Sequence, residues 1–254
     1  SSIVVGLMSE VCKVKPATFN ISFSEKEFDE SVYAEIIARK FNTDHTRIQL
    51  SPHSMLDELE QALSAMDTPS GDGVNSYVVS KTIKNAGIKV ALSGVGGDEL
   101  FAGYPIFSQF QKLHAKTSWW KYSALIRKTG AELLFPGKFS NKKYRLQRLL
   151  QVPMPDIEYV YPIIRQILSS QLIGQLTTLS VIDITMLQQS LFDHRDQLHQ
   201  LPVLGQVSAA EYMGYTQHTL LKDTDQMSMA VALEVREPFF DTDLVEYVLG
   251  IPDR

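Results

Sequence analysis

The chain has 254 residues, 44% of them hydrophobic and 21% charged, with a formal charge of −5. That is the mix of a globular domain able to bury about 70–75% of its unfolded surface. Charges of both signs are interspersed and no apolar run approaches the ~18 residues of a membrane span, so neither nucleic acid nor membrane is expected as a partner. The lone cysteine, Cys12, excludes an internal disulfide and suits a reducing compartment such as the cytoplasm. Beside Val11 it reads as a small core residue rather than a nucleophile.

Ala17 to Phe23 places Phe19, Ile21 and Phe23 on one face, the period-two pattern of a strand. Ser24-Glu25-Lys26-Glu27 reads as a capping box, with Phe23 and Phe28 spaced as a hydrophobic staple. A helix follows with Phe28, Val32, Tyr33, Ile36 and Ile37 on one stripe, closed by Asn42. Arg47 to Leu50 is a short strand. Ser51 then caps a helix with Pro52 at its first position and Met55, Leu56, Leu59, Leu63 and Met66 as its stripe. A polar loop spans residues 67–73, a helix 74–86 ends at Gly87, and residues 88–92 form the next strand.

Strands alternating with helices predict an α/β fold: a parallel sheet with right-handed crossovers, whose ligands sit beyond the strand C-termini. After residue 104 the strand signals fade. Residues 112–150, 180–191, 208–221 and 241–249 read as helices, with a break at Val152-Pro153-Met154-Pro155 and a solvated face at Lys142 to Arg145. The expectation is one domain, with an α/β nucleotide-binding part over 1–104 and a mainly helical part over 105–254 packed against one sheet edge.

The segment after the third strand, Ser93-Gly94-Val95-Gly96-Gly97-Asp98-Glu99, lies at such a strand end. Its glycines let the backbone approach a ligand closely, and successive amides with the Ser93 hydroxyl can form an anion nest. Adjacent carboxylates beside a phosphate nest suit Mg²⁺, which takes one or two carboxylates plus phosphate oxygens. The same residues also fit a plain helix cap with acids placed for the dipole. The loop is not a Walker motif, because no Gly-Lys-Ser/Thr follows.

Ala91 to Tyr104 as a whole resembles a signature of the asparagine synthetase family. Three more stretches match in order. They are Thr18 to Phe23 with Phe28 to Ser31; Met66-Asp67-Thr68-Pro69 with Asp72 to Tyr77; and Leu220 to Ala230 with Glu234 to Asp241. The similarity covers nearly the whole chain. It implies an adenine nucleotide alpha hydrolase-like fold of the PP-loop ATP pyrophosphatase superfamily. It also implies activation of aspartate by ATP and Mg²⁺ as β-aspartyl-AMP, then displacement of AMP by ammonia from a separate N-terminal glutaminase domain. A homodimer is compatible with it.

Carried over residue by residue, the resemblance puts Ser93, Gly94, Gly96 and Ser1 at the nucleotide phosphates and the Ile21 backbone at the adenine. Asp98 would hold Mg²⁺, and Glu99 would face the aspartate or nucleotide as a catalytic group. Asp67 would line the substrate pocket, though a turn residue fits equally. Glu234, as a second catalytic group, and Arg236 would help hold substrate, or the two would form a buried ion-pair network. Lys222, with Asp223 and Asp225, would approach the phosphates or decorate a helix face.

The chain departs from the family's pattern in four places. Ser1-Ser2-Ile3 looks like the tail of the Ser-Gly-Gly-x-Asp-Ser pyrophosphate loop, and the chain stops before the segment bearing the family's catalytic lysine. A fragment is expected, with weak or no ATP binding alone and no turnover. Val95 replaces an acid or tyrosine, and Gln226 stands where a basic residue is common. Two alternatives therefore stay open: a related amidotransferase or β-lactam synthetase-like enzyme acting on another carboxylate, and a non-catalytic nucleotide-binding domain.

Overall fold

The computed structural model describes residues 1–23, 29–134, 141–177 and 185–253. In chain order the elements are α1 (Ser2–Val11), β1 (Ala17–Phe23), α2 (Ser31–Lys40), β2 (Asp44–Leu50), α3 (Pro52–Ala65), α4 (Gly73–Asn85), β3 (Val90–Leu92) and the short α5 (Gly97–Leu100). Then come α6 (Pro105–His114), α7 (Thr117–Tyr122), α8 (Ala124–Leu134), α9 (Asn141–Gln151), α10 (Ile157–Arg165), α11 (Ser170–Leu176), α12 (Met186–Asp193), α13 (Arg195–Leu198) and α14 (Val203–Glu211). A π-helical segment over Tyr212–Leu221 leads into α15 (Lys222–Met229), β4 (Glu234–Arg236), a 3₁₀ turn at Pro238–Phe240 and α16 (Thr242–Leu249). The chain forms two compact units: residues 1–97 with 215–244, and residues 98–214 with 245–254. Among the described residues no helix is long and apolar enough to cross a membrane.

The first unit is α/β with parallel strand pairing, as expected, but the described strands form two two-stranded sheets rather than one. β1 runs beside β2 in register from Ala17↔Asp44 to Phe23↔Leu50, and β3 beside β4 from Val90↔Glu234 to Leu92↔Arg236. The polar face of β1 is knitted to β2 by side chains: Thr18 Oγ1 lies 2.9 Å from His45 Nδ1, and Arg47 Nε donates to Ser22 Oγ at 3.0 Å. Local signals set the helix ends. Ser51 Oγ accepts from the Ser54 amide at 3.0 Å, with Pro52 following. Asn42 takes a left-handed φ of 51°. Its N–H bonds the Arg39 carbonyl at 3.3 Å and that of Thr43 bonds the Ala38 carbonyl at 3.0 Å, which together make a Schellman motif. Gly87, at φ +85°, closes α4.

Three expectations need correcting here. β4 lies in the part expected to be mainly helical, where no strand was expected; three residues are too few to show a period, and only pairing with β3 makes it a strand. Val32, Tyr33 and Ile36 are exposed, as are Leu56 and Leu63; α2 and α3 instead bury the small residues Ser31, Ala38 and Ala62. Cys12, at the C-terminal cap of α1, is exposed rather than part of a core. The expected capping box at Ser24 to Glu27, with Phe28, lies outside the described residues. The unit's core is a small cluster of Leu50, Ala62, Tyr77, Val78 and Met227, made where α4 packs on α15.

The second unit is helical. Phe110 of α6, Ile157, Val160 and Tyr161 of α10, Leu191 of α12, and Val207 and Ala210 of α14 form one core. In a neighbouring cluster Arg127 is 3% exposed. It donates to the carbonyls of Leu150 at 2.7 Å and Trp120 at 3.0 Å, with its guanidinium 4.3 Å from the Trp120 ring centroid. Burial lowers its pKa, and these acceptors stand in for a carboxylate. Lys142 and Lys143 are exposed, as expected, but Arg145 is partly buried and donates to the Gln166 carbonyl. Of the expected helix over 180–191, α12 is the described portion, and residues 180–184 lie outside it.

Candidate active site

In the α/β unit, β3 ends at Leu92 and the chain turns. The Ser93 N–H donates to the Arg236 carbonyl at 2.8 Å, so β4 extends the ladder to the first residue of the loop. Ser93 Oγ then accepts from the Val95 N–H at 3.1 Å, which folds the turn on itself. Gly94 lies against the start of α1: a Cβ there would stand 2.1 Å from Ser1 Oγ and 2.6 Å from Ser1 N. Only glycine permits that approach. Gly96 has φ +91°, and a Cβ would come within 3.1 Å of Phe239 Cβ. Its role in this structure is to let the turn pack on the 3₁₀ segment.

Ser1, Ser93, Gly94 and Val95 line one cavity of about 590 Å³, within the usual size of small-molecule sites. Thr18 of β1, Asp72, Asn75 and Ser76 at the start of α4, and Thr224 of α15 add polar groups. Apolar residues such as Ile83, Leu92 and Val235 supply much of the rest. Among the described residues, no Lys or Arg lines it. An anion held here would rest on amides, hydroxyls and the N-terminal end of α1. The acid Asp72 in the same lining makes a counter-cation useful to a phosphate ligand.

The other candidates in this unit lie outside that lining. The Ile21 side chain packs on the Leu50–Met227 core. Asp67 is exposed in the loop after α3, and Lys222 is partly buried at the start of α15. Glu234 and Arg236 pair at 2.7 Å with side chains 51% and 65% exposed, so they form a surface pair and not a buried network. The alternation of β4 turns both to the same open face. Gln226 Nε2 donates to the Ala65 carbonyl at 3.2 Å, tying α15 to the end of α3.

Asp223, expected near the phosphates or on a helix face, is 2% exposed and accepts from Ser70 Oγ, so it does not decorate a surface. Other neighbours escaped the sequence. Glu237 has a raised pKa, through burial first and then the charge of Asp225. Asn75, Ser76, Asp223 and Thr224 fall inside the matched motifs, which was the signal available for them.

Asp98 and Glu99 belong to the helical unit. Asp98 is exposed on α5, and its carbonyl accepts from the Gly103 N–H at 2.8 Å. A Cβ on Gly103 would sit 2.1 Å from Asp98 Oδ1, so glycine there leaves room for this carboxylate. Glu99 is 1% exposed and accepts from Tyr104 Oη at 2.8 Å. Burial, then the Glu99 charge, push the Tyr212 phenol up to about 12. Near Glu99, Glu211 is fully buried in an ion pair with Arg165, and burial raises its pKa, with Arg165 opposing. Neither Arg165 nor Glu211 lies in a matched motif, and the sequence offered no sign of them.

Comparison with known proteins gives the following. The family model described as asparagine synthase matches residues 1–254. Asparagine synthetase (glutamine-hydrolyzing) 3 of Bacillus subtilis (strain 168) is 26% identical over 99% of this chain and 37% of its own length. Asparagine synthetase (glutamine-hydrolyzing) 1 of the same organism is 27% identical over 93% of this chain and 37% of its own length. A putative asparagine synthetase (glutamine-hydrolyzing) 2 of Methanocaldococcus jannaschii is 36% identical over 41% of this chain and 20% of its own length. The chain thus spans little more than a third of the first two relatives.

Proposed function

The chain belongs to the asparagine synthase family, and on that premise we propose that it carries the ATP-dependent amide-forming chemistry of a larger enzyme. The reaction proposed is aspartate to asparagine. An oxygen of the β-carboxylate attacks the α-phosphorus of ATP, the α–β anhydride bond breaks, and pyrophosphate leaves. Ammonia, delivered by a glutaminase domain, then attacks the acyl carbon. AMP leaves with the C–O bond electrons, and the nitrogen gives up a proton.

The observation that carries this reading is the close approach of Gly94 to Ser1 at the wall of a 590 Å³ cavity. It brings a glycine turn and a helix start together, both suited to phosphate oxygens. In the reading, Ser93, Gly94 and Ser1 hold the phosphates, with Gly96 shaping the turn, and the Ile21 backbone contacts the adenine. Asp98, next in the chain after this turn, has the open carboxylate that fits Mg²⁺. When bound, Mg²⁺ neutralises charge on the phosphate oxygens as the α-phosphorus is attacked. Asp67, Lys222, Glu234 and Arg236 are exposed or half-buried groups free to meet the acyl substrate or the phosphates. The remaining work of the site is positioning, which brings the carboxylate in line with the α-phosphorus.

The test is AMP release by the full-length protein supplied with ATP, Mg²⁺, aspartate and ammonia. AMP and asparagine formed one to one are expected; ATP consumption that yields ADP, or none at all, would reject the reading. A second reading, amidation of another carboxylate, is favoured by Val95, an apolar side chain on the cavity wall. It predicts AMP release with some other acid and none with aspartate.

A further inference from the structure

The four-residue α5 is a single turn, too short to hold its shape by its own hydrogen bonds. The direction of the Asp98 carboxylate therefore depends on contacts outside α5: a local one with Gly103 and, through Glu99, a chain of them in the helical unit. Arg165 grips Glu211 in a fork, Nε to Oε1 at 2.8 Å and Nη2 to Oε2. The same guanidinium lies 5.1 Å from the centroid of the Tyr104 ring. Tyr104, at the start of α6, donates its hydroxyl to Glu99, the residue beside Asp98. Glu99 and Glu211 are 1% and 0% exposed, so each is committed to internal partners. A buried carboxylate stripped of a donor is costly, which makes such a chain hold one geometry.

We propose that Arg165, Glu211 and Tyr104 are positioning residues that lock Glu99 as the buried root of α5, so that Asp98 stays aimed at its cation. The proposal rests on the reading of Asp98 as the Mg²⁺ carboxylate, and it gives Glu99 an anchoring rather than a substrate-facing role. Substituting any link loosens α5 and weakens use of Mg²⁺, while the chemistry at saturating metal survives.

The experiment uses the full-length protein and follows ATP–pyrophosphate exchange against Mg²⁺ concentration. Amide hydrogen exchange of residues 99–103 is measured in parallel. Tyr104→Phe keeps the ring against Arg165 and removes only the hydroxyl. It should raise the Mg²⁺ half-saturation by about ten-fold, the expected worth of one hydrogen bond to a charged group. The kcat at saturating Mg²⁺ should stay within about two-fold of wild type, and amides 99–103 should exchange faster. Arg165→Lys, which loses the fork but keeps the charge, should shift in the same direction by less. Leu191→Ala, a core truncation in the same unit, should lower stability without moving the half-saturation.

An unchanged half-saturation in Tyr104→Phe, or an equal shift in Leu191→Ala, overturns the proposal. Unchanged amide exchange in Tyr104→Phe overturns the anchoring whatever the activity. Wild-type protein with no Mg²⁺-dependent exchange on any carboxylate overturns the ATP reading itself, and the metal clause with it.

Discussion

The ion pairs described in the two units lie at different depths. In the α/β unit, Glu234 and Arg236 meet on an open strand face, more than half exposed, and Asp67 stands in solvent. In the helical unit Glu99, Glu158 and Glu211 are 1%, 0% and 0% exposed, each in contact with Tyr, Arg or His. Exposed pairs contribute about 0–1 kcal/mol and leave their groups available to a ligand. Buried pairs are costly to break because the survivor is left charged without a partner. The core sizes follow the same division: a small cluster in the unit that holds the 590 Å³ cavity, and a continuous core from five helices in the other. A unit that keeps an open cavity gives up packing.

The largest effect should come from breaking the buried fork. Arg165→Ala leaves Glu211 charged and enclosed, and the helical unit should lose about 3–5 kcal/mol. Both tryptophans, Trp119 and Trp120, lie in that unit, so fluorescence in a urea titration reports on it directly. A loss below about 1 kcal/mol would show that the fork is not closed in solution.

Next is the cavity. Gly94→Ala puts a methyl group onto Ser1 backbone atoms, which no rotamer change can relieve. Nucleotide affinity of the full-length protein should fall at least about ten-fold, by about 1.4 kcal/mol or more, with overall stability lowered less. Calorimetry on wild type and variant measures both, and an unchanged affinity would place the phosphates elsewhere.

A smaller effect concerns pH. Burial, then Asp225, raise the Glu237 pKa in the folded α/β unit. The folded state therefore holds this proton to higher pH than the unfolded chain does. That stabilisation is present at low pH and is lost as pH rises from the ordinary glutamate value through the raised one. Glu237→Gln should flatten the decline over that window, measured as unfolding midpoints across mildly acidic pH. An identical slope in the variant would assign the decline to other groups.

Smallest is the surface pair. Arg236→Ala should change stability by no more than about 0.5–1 kcal/mol, because its partner Glu234 regains water. The Ser93 amide still has the residue 236 carbonyl to bond. If the variant loses acyl-substrate affinity while stability holds, the exposed pair has a ligand role; if stability falls further, the two units differ less than their burial indicates.

Caps, turns and the strand β1 were legible in the sequence because each is settled within a few residues, whereas the helix stripes were not: Val32, Tyr33 and Ile36 are exposed. Ser51 finds Ser54, Asn42 and Gly87 take left-handed φ at helix ends, and Phe19 alternates with Thr18 and Asn20. The glycine turn after β3 was legible for the same reason, since its torsions and amides are its own. Only the tertiary structure decided the rest, because the partners lie far along the chain. Glu234 to Arg236 become a strand by lying beside Val90 to Leu92, and Gly94 is obligatory because Ser1 abuts it. Glu99, adjacent to Asp98 and chemically its equal in sequence, is buried while Asp98 is open. Burial is set by what packs around a residue, and for Glu99 that includes Tyr104, itself faced by the Arg165 of a distant helix.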